Sequence, residues 1–231
     1  MKWAAVIVAA GRGTRLGGPK QLIELAGIPM VGWSIQTFAS MPEIAEIVVA
    51  TEPESLEPIR DLFVRLAPKH EARVVRGGAT RQESVYNGLR AVSETCDAVF
   101  VHDGARPLVS VDDVRAGMKE VAVGRASLLA APVVDTIKSV DPESLQVRLT
   151  LDRRSLWAAE TPQFARSGEL LAAHESARRE GFEATDDAAL LERSGVAVVV
   201  VSSTNENFKV TRPADVVRAA AILQARATGV T

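Results

Sequence analysis

What this chain lacks narrows its function before any motif is read. Cysteine is nearly absent: Cys96 stands alone among 231 residues, so no disulfide can form within the chain. A single thiol points to a reducing compartment, and we expect the cytoplasm. No run of about 20 apolar residues occurs, so a membrane-spanning helix is not expected. The short apolar run ending at Ala10 passes at once into Gly11-Arg12-Gly13-Thr14-Arg15, which suits a buried first strand better than a secretory leader. Net charge is only −2, so neither nucleic acid nor a membrane surface is an expected partner, and phosphate binding would have to come from local cations. Internal repeats, low-complexity tracts and linkers are missing as well. One domain over residues 1–231 is the expectation.

What is present is a regular alternation. Short, nearly continuous apolar runs recur at 5–8, 47–50, 72–75, 98–101, 128–131 and 196–201. Strands of that kind are covered on both faces, as in a mostly parallel sheet. Between them, helical patterns run over 29–38, 56–66, 81–92, 111–121, 169–179 and 214–226, with Asp112-Asp113 and Pro213 near helix starts. The reading is a doubly wound α/β fold. One segment, about 134–157, breaks the alternation: two strand-like pieces flank Asp141-Pro142-Glu143-Ser144, the pattern of a hairpin arm. An arm with so little to pack on in its own domain predicts a homodimer.

The first strand runs into Ala9-Ala10-Gly11-Arg12-Gly13-Thr14-Arg15-Leu16-Gly17-Gly18-Pro19-Lys20-Gln21. In a parallel sheet that is the carboxyl edge, where ligands bind. Small residues let backbone amides approach a polyphosphate, and Arg15 and Lys20 add positive charge. Two familiar phosphate signatures do not fit this loop. A Walker A loop needs Gly-Lys followed by Ser or Thr, whereas Pro19 precedes Lys20 and Gln21 follows it. A dinucleotide fingerprint needs Gly or Ala where Leu16 stands.

Ala-Ala-Gly-x-Gly-x-Arg followed by Pro-Lys-Gln resembles the signature loop of the sugar-phosphate nucleotidyltransferases. Further motifs follow in order: Gly77-Gly78-Ala79-Thr80-Arg81-Gln82-Glu83-Ser84-Val85, His102-Asp103-Gly104-Ala105-Arg106-Pro107, Ala131 to Lys138, Asp152-Arg153, Thr161-Pro162-Gln163, Thr185-Asp186-Asp187 and Asn207 to Thr211. Together they resemble the 2-C-methyl-D-erythritol 4-phosphate cytidylyltransferases of the non-mevalonate isoprenoid pathway, from Val6 to about Asp215. The resemblance implies a Rossmann-like nucleotidyltransferase fold with an extended dimerisation arm. It implies transfer of CMP from CTP to 2-C-methyl-D-erythritol 4-phosphate, with release of pyrophosphate and dependence on Mg²⁺. The attacking phosphate is already an anion, since a phosphomonoester's second pKa is about 6, so no general base is needed.

Carried over by motif, Arg15, Lys20, Lys209 and Arg153 are the expected catalytic residues. Ala9, Ala10, Gly11, Gly13, Gly78, Ser84, Asp103, Gly104, Arg106 and Thr161 are expected at the nucleotide, and Asp103 at Mg²⁺. Glu206 is a candidate second acidic contact to the metal. Thr136, Arg153, Thr185 and Lys209 are expected at the acceptor, with Arg153 reaching the partner subunit's site; Asp152-Arg153-Arg154 also reads as a solvated charge run. His102 is expected to be a packed or hydrogen-bonded neighbour instead of a base. His70 and His174 read as surface residues, and Trp3, Trp33 and Trp157 as core or interface packing. Two rival functions remain: a ribitol-5-phosphate cytidylyltransferase, sharing nearly all motifs, and a non-catalytic nucleotide-sensing module on the same fold.

Overall fold

The computed structural model describes residues 1–11, 18–204 and 206–229. The first strand, β1 (Trp3–Ala9), is followed by a small β2 (Glu24–Leu25) and β3 (Ile28–Pro29) hairpin and α1 (Met30–Ala39). Next come β4 (Ile44–Thr51), α2 (Leu56–Leu66), β5 (Arg73–Arg76), α3 (Arg81–Arg90), β6 (Ala98–Asp103) and α4 (Val111–Ala122). The chain then forms β7 (Ala126–Pro132), β8 (Lys138–Val140), β9 (Val147–Thr150), β10 (Trp157–Arg166) and α5 (Ser167–Glu180). It ends with α6 (Asp187–Arg193), β11 (Val198–Ser202) and α7 (Pro213–Thr228). Among the described residues seven strands form one sheet in the order β11-β7-β10-β6-β1-β4-β5. β10 runs antiparallel to both its neighbours and the other pairings are parallel.

Side chains on successive strand residues point to opposite faces, and the central strands use both. Ala5 and Ile7 of β1 join Ala98 and Phe100 of β6 on one face, under Ile35 and Phe38 of α1, Leu62 and Phe63 of α2, and Val114 and Met118 of α4. Ala4, Val6, Val99 and Val101 pack the other face under Val85 and Leu89 of α3, Leu170, Ala173 and Ala177 of α5, and Leu190 of α6. A third cluster joins α7, through Ala219 and Leu223, to Leu25, Met30, Ala105, Leu108 and Val210. That last cluster fixes the chain after β11 against the loop after β6.

Every expected strand and helix is found, with ends moved by a few residues. The mostly parallel sheet was legible for the reason given: its strands are apolar on both sides. β10 was not expected, and neither was α6. Pro162 has no amide hydrogen and interrupts the ladder to β7 between Ala159 and Gln163. Glu160, Thr161 and Gln163 supply polar side chains where an interior strand ordinarily carries apolar ones, yet all three are buried. The hairpin within 134–157 is real: β8 pairs with β9 around a turn in which Asp141 accepts from the backbone of Glu143 and Ser144.

The most enclosed aromatic cluster lies beneath β6. Phe100 is fully buried, with ring centroids 4.9 Å from Phe38 and 5.4 Å from Phe164. Phe100→Ala should lower the unfolding free energy by roughly 3–5 kcal/mol in urea titration. A loss below about 1 kcal/mol would mean that this layer is not the core described.

Candidate active site

A cavity of about 570 Å³ opens at the carboxyl ends of β1, β5 and β6. Its floor is Val8-Ala9-Ala10-Gly11, which leaves β1 as small side chains and so leaves room above the backbone. Lys20 lies across this segment: a Cβ added to Gly11 would stand 3.5 Å from the Lys20 Cε. On the opposite side, the turn from β5 into α3 comes close because Gly77 has no side chain. A Cβ there would fall 2.4 Å from that of Ala10. The Ser84 hydroxyl accepts from the Gly78 amide at 3.0 Å and donates to the Thr80 carbonyl at 2.9 Å, holding this turn in shape. Thr80 caps α3 by accepting from the Glu83 amide at 3.1 Å.

Charge concentrates on the wall formed by the end of β6. The Asp103 Oδ1 accepts from the Arg81 Nε at 3.0 Å, and its Oδ2 accepts from the Lys209 Nζ at 2.7 Å. Burial alone would raise the Asp103 pKa, but Arg81 and Lys209 override it and hold the carboxylate well below its usual range. Arg81 is in turn bonded through Nη2 to Asp187 Oδ2 at 2.9 Å. Burial works against the Arg81 charge, and the two carboxylates more than compensate, so its pKa lies above the ordinary value. Lys209 comes from the loop after β11, which Asn207 anchors: its side-chain amide donates to Glu160 Oε2 and to the Thr161 carbonyl, both at 2.9 Å. The Val210 amide donates to the Ala105 carbonyl at 2.8 Å, completing the seat.

Behind Asp103 lies a chain of neutral hydrogen bonds. Thr161 Oγ1 accepts from the Asp103 amide at 2.9 Å and lies 3.2 Å from His102 Nδ1. His102 Nε2 lies 3.1 Å from the Arg106 carbonyl. A carbonyl can only accept, so Nε2 carries the hydrogen and Nδ1 receives the threonine hydroxyl. His102 is fully buried, and burial pushes its pKa down to about 4.

A family model described as "IspD: 2-C-methyl-D-erythritol 4-phosphate cytidylyltransferase" matches residues 3–225. A curated protein of that name from Pelotomaculum thermopropionicum is 41% identical over 228 residues, covering 97% of this chain and 95% of the relative. One from Gloeobacter violaceus is 42% identical over 221 residues, with 95% of each covered. Among solved structures, the 4-diphosphocytidyl-2C-methyl-D-erythritol synthase of Anaerococcus prevotii superposes with a TM-score of 0.85 at 29% identity, covering 96% of both chains. The 2-C-methyl-D-erythritol 4-phosphate cytidylyltransferase of Thermus thermophilus gives 0.79 at 32% identity, covering 97% of this chain and 100% of that one. This chain belongs to the 2-C-methyl-D-erythritol 4-phosphate cytidylyltransferase family.

Of the residues expected at this family's site, Ala9, Ala10, Gly11, Lys20, Gly78, Ser84, Asp103, Gly104 and Lys209 line the one cavity. Arg15 and Gly13 lie outside the described residues. Arg106 and Thr161 do not line it. The Arg106 guanidinium donates to the Asn207 carbonyl at 2.7 Å, so it organises the Lys209 loop, while Thr161 holds the Asp103 backbone. Thr136, Arg153 and Thr185 are exposed and do not line it either; Arg153 donates to the Val134 carbonyl at 2.7 Å, at the base of the arm. Glu206 is half exposed and paired with Arg226 at 2.8 Å, away from the cavity lining.

His174 is not a surface residue: it is fully buried, with Nε2 3.0 Å from Asp187 Oδ1. Its position was legible, since Leu170, Ala173, His174 and Ala177 recur at helical spacing and form the buried face of α5. His70 is half-buried, 3.3 Å from the Ile44 carbonyl. Trp3 is core, Trp33 donates to the Leu25 carbonyl, and Trp157 is 42% exposed. Arg81 and Asp187 stood inside quoted motifs without a role. The two lie 106 residues apart, and no local pattern joins them.

Because His102 is neutral in the fold and its pKa lies below the ordinary value of about 6.5, the unfolded chain binds more protons between pH 6.5 and 4. Stability is therefore present above that window and falls as pH drops through it, by roughly 2 kcal/mol between pH 7 and 5. Glu160, held above the usual carboxylate range by burial, works in the opposite direction. Urea unfolding of wild type and His102→Gln at both pH values isolates the histidine: the variant should lose less stability on acidification. Equal losses would remove His102 from the account.

Proposed function

We propose that this protein transfers CMP from CTP to 2-C-methyl-D-erythritol 4-phosphate in a Mg²⁺-dependent reaction in the cytoplasm. The observation that carries the reading is the convergence of Lys20, Arg81, Asp103 and Lys209 on one cavity, floored by Val8 to Gly11, in a chain of this family. An oxygen of the acceptor phosphate bonds to the α-phosphorus of CTP. The bond from that phosphorus to the β-phosphate bridging oxygen breaks, and its electron pair leaves with pyrophosphate. The attacking phosphate carries its charge at neutral pH, so the site needs positioning and cations, and no proton acceptor. A fully buried, neutral His102 is consistent with that.

Lys20, with Arg15, is assigned to the triphosphate, and Lys209 to the reacting phosphates. Ala9, Ala10, Gly78 and Ser84 are assigned to the base. Asp103 is the residue that would hold Mg²⁺. Among the described residues no group of three or more acidic, histidine or cysteine side chains forms a metal cage. One carboxylate, with substrate phosphates and water filling the remaining positions, is an ordinary way to bind this ion. When bound, the ion would neutralise charge on phosphate oxygens.

The arm supports a homodimer with shared sites. Val147 and Leu149 on β9 are 54% and 57% exposed, and Leu145 at the turn is 71% exposed, an apolar edge left uncovered by the described residues. Thr136 and Arg153, assigned to the acceptor, flank the arm and do not line this chain's cavity. A second copy would bring them to it. No helix among the described residues is long and apolar enough to cross a membrane.

Pyrophosphate release with CTP and Mg²⁺ tests the reading. Release with 2-C-methyl-D-erythritol 4-phosphate supports it, release with ribitol 5-phosphate alone moves the acceptor, and silence with both returns a nucleotide sensor. Lys20→Ala should lower turnover by roughly 10²–10³-fold, and Asp103→Ala should also be severe. Two inactive variants, Lys20→Ala and Arg153→Ala, should recover about a quarter of the activity when their subunits exchange, since half of the dimers are mixed and each holds one intact site. No recovery after demonstrated exchange would place Arg153 in its own chain's site.

A further inference from the structure

Arg81 and Lys209 both donate to Asp103, but they are held differently. Lys209 is a flexible point charge, 38% exposed, with one such bond among the described residues. Arg81 is a planar fork with a second bond to Asp187, whose side chain is 1% exposed and whose other oxygen meets the fully buried His174. The chain on either side of Asp187 is held at several points. Asp186 caps α6 by accepting from the Ala189 amide at 3.0 Å. Gln163 of β10 donates to Asp186 at 2.9 Å and accepts from the Ala188 amide at 2.8 Å. Gln82, beside Arg81, donates to the Phe182 carbonyl at 3.0 Å and accepts from the Ala184 amide at 2.9 Å.

Resting on the cytidylyltransferase reading, we infer that Asp187, backed by His174, is a positioning residue for the nucleotide cavity. It fixes Arg81 against Asp103, so that Lys209 is the cation that leaves Asp103 for an incoming phosphate. A buried carboxylate is unfavourable unless it is paired and hydrogen-bonded. Here the guanidinium that pairs it has its other edge on the cavity wall. The pair therefore connects the interior between α5 and α6 to Asp103 on the cavity wall.

Asp187→Asn is the informative change. Its carboxamide oxygen can still accept from Arg81, and its nitrogen can donate to His174 Nε2 if the imidazole hydrogen moves to Nδ1. Nδ1 has no partner among the described residues. The variant thus removes the charge while keeping both contacts. CTP binding is measured by calorimetry without acceptor for wild type, D187N, R81Q and the double variant. D187N should weaken CTP by roughly 10- to 100-fold and should add nothing in the R81Q background, because it acts through Arg81. A merely structural role lowers the melting temperature, and its effect on binding is nil or adds to that of R81Q; either result overturns the inference.

A second readout needs no nucleotide. The Arg81 Nε–H resonance, assigned by its loss in R81Q, should exchange slowly with water in wild type and much faster in D187N. Unchanged exchange overturns the inference. A wild type that binds no CTP would defeat the cytidylyltransferase reading, and the exchange measurement would still decide whether Asp187 positions Arg81. Should D187N fail to fold, His174→Gln carries both measurements with the same expected directions.

Discussion

Asp103 ends β6 with its side chain almost out of water, where a lone carboxylate would cost several kcal/mol. It stays ionised because Arg81 and Lys209 each donate to one of its oxygens. Those two cations come from distant parts of the chain, one from the start of α3 and the other from the loop before α7. Each has its own support: Asp187 behind Arg81, and Asn207 beneath Lys209. The walls of the cavity are therefore joined through a single buried charge. Removing one partner from such a pair ordinarily costs about 3–5 kcal/mol, because the other charge remains buried. The same arrangement ties α3 and the loop after β11 to the end of β6, on the wall of the cavity.

That arrangement suits a reaction of phosphates. Arg81 and Lys209 face Asp103, Arg81 also meets Asp187, and Lys20 and Glu52 line the same cavity. The nucleophile needs no deprotonation, so the neighbouring histidine can be given over to structure. His102 hands a hydrogen bond to the Arg106 carbonyl and receives one from Thr161, which in turn holds the Asp103 amide. A neutral, desolvated ring keeps the carboxylate in register without competing for its charge.

The arm follows a different logic. Inside the sheet, apolar residues are covered on both faces; on β9, Val147 and Leu149 are left exposed with no layer above them. A two-stranded hairpin is marginal by itself in water. In the proposed homodimer a second copy would cover this apolar edge, and the arm would supply Arg153 in return.

The doubly wound core was legible because a strand buried on both faces must be apolar at nearly every position, and six runs met that condition. The start of the glycine loop, Ala9 to Gly11, was legible as a run of small residues at a strand end, and it lines the cavity. β10 escaped because Pro162 and three buried polar residues mask it; they are tolerated in mid-sheet only because Asn207, Asp186 and the α6 backbone meet them there. His174 escaped although its helical spacing placed it among Leu170, Ala173 and Ala177. The local pattern thus determined which segments become strands and helices and which end of the sheet carries the ligand loop. The pairing of Arg81 with Asp187 and of Lys209 with Asp103 was decided only by the tertiary structure. Charges so far apart in the chain become partners when packing removes them from water together.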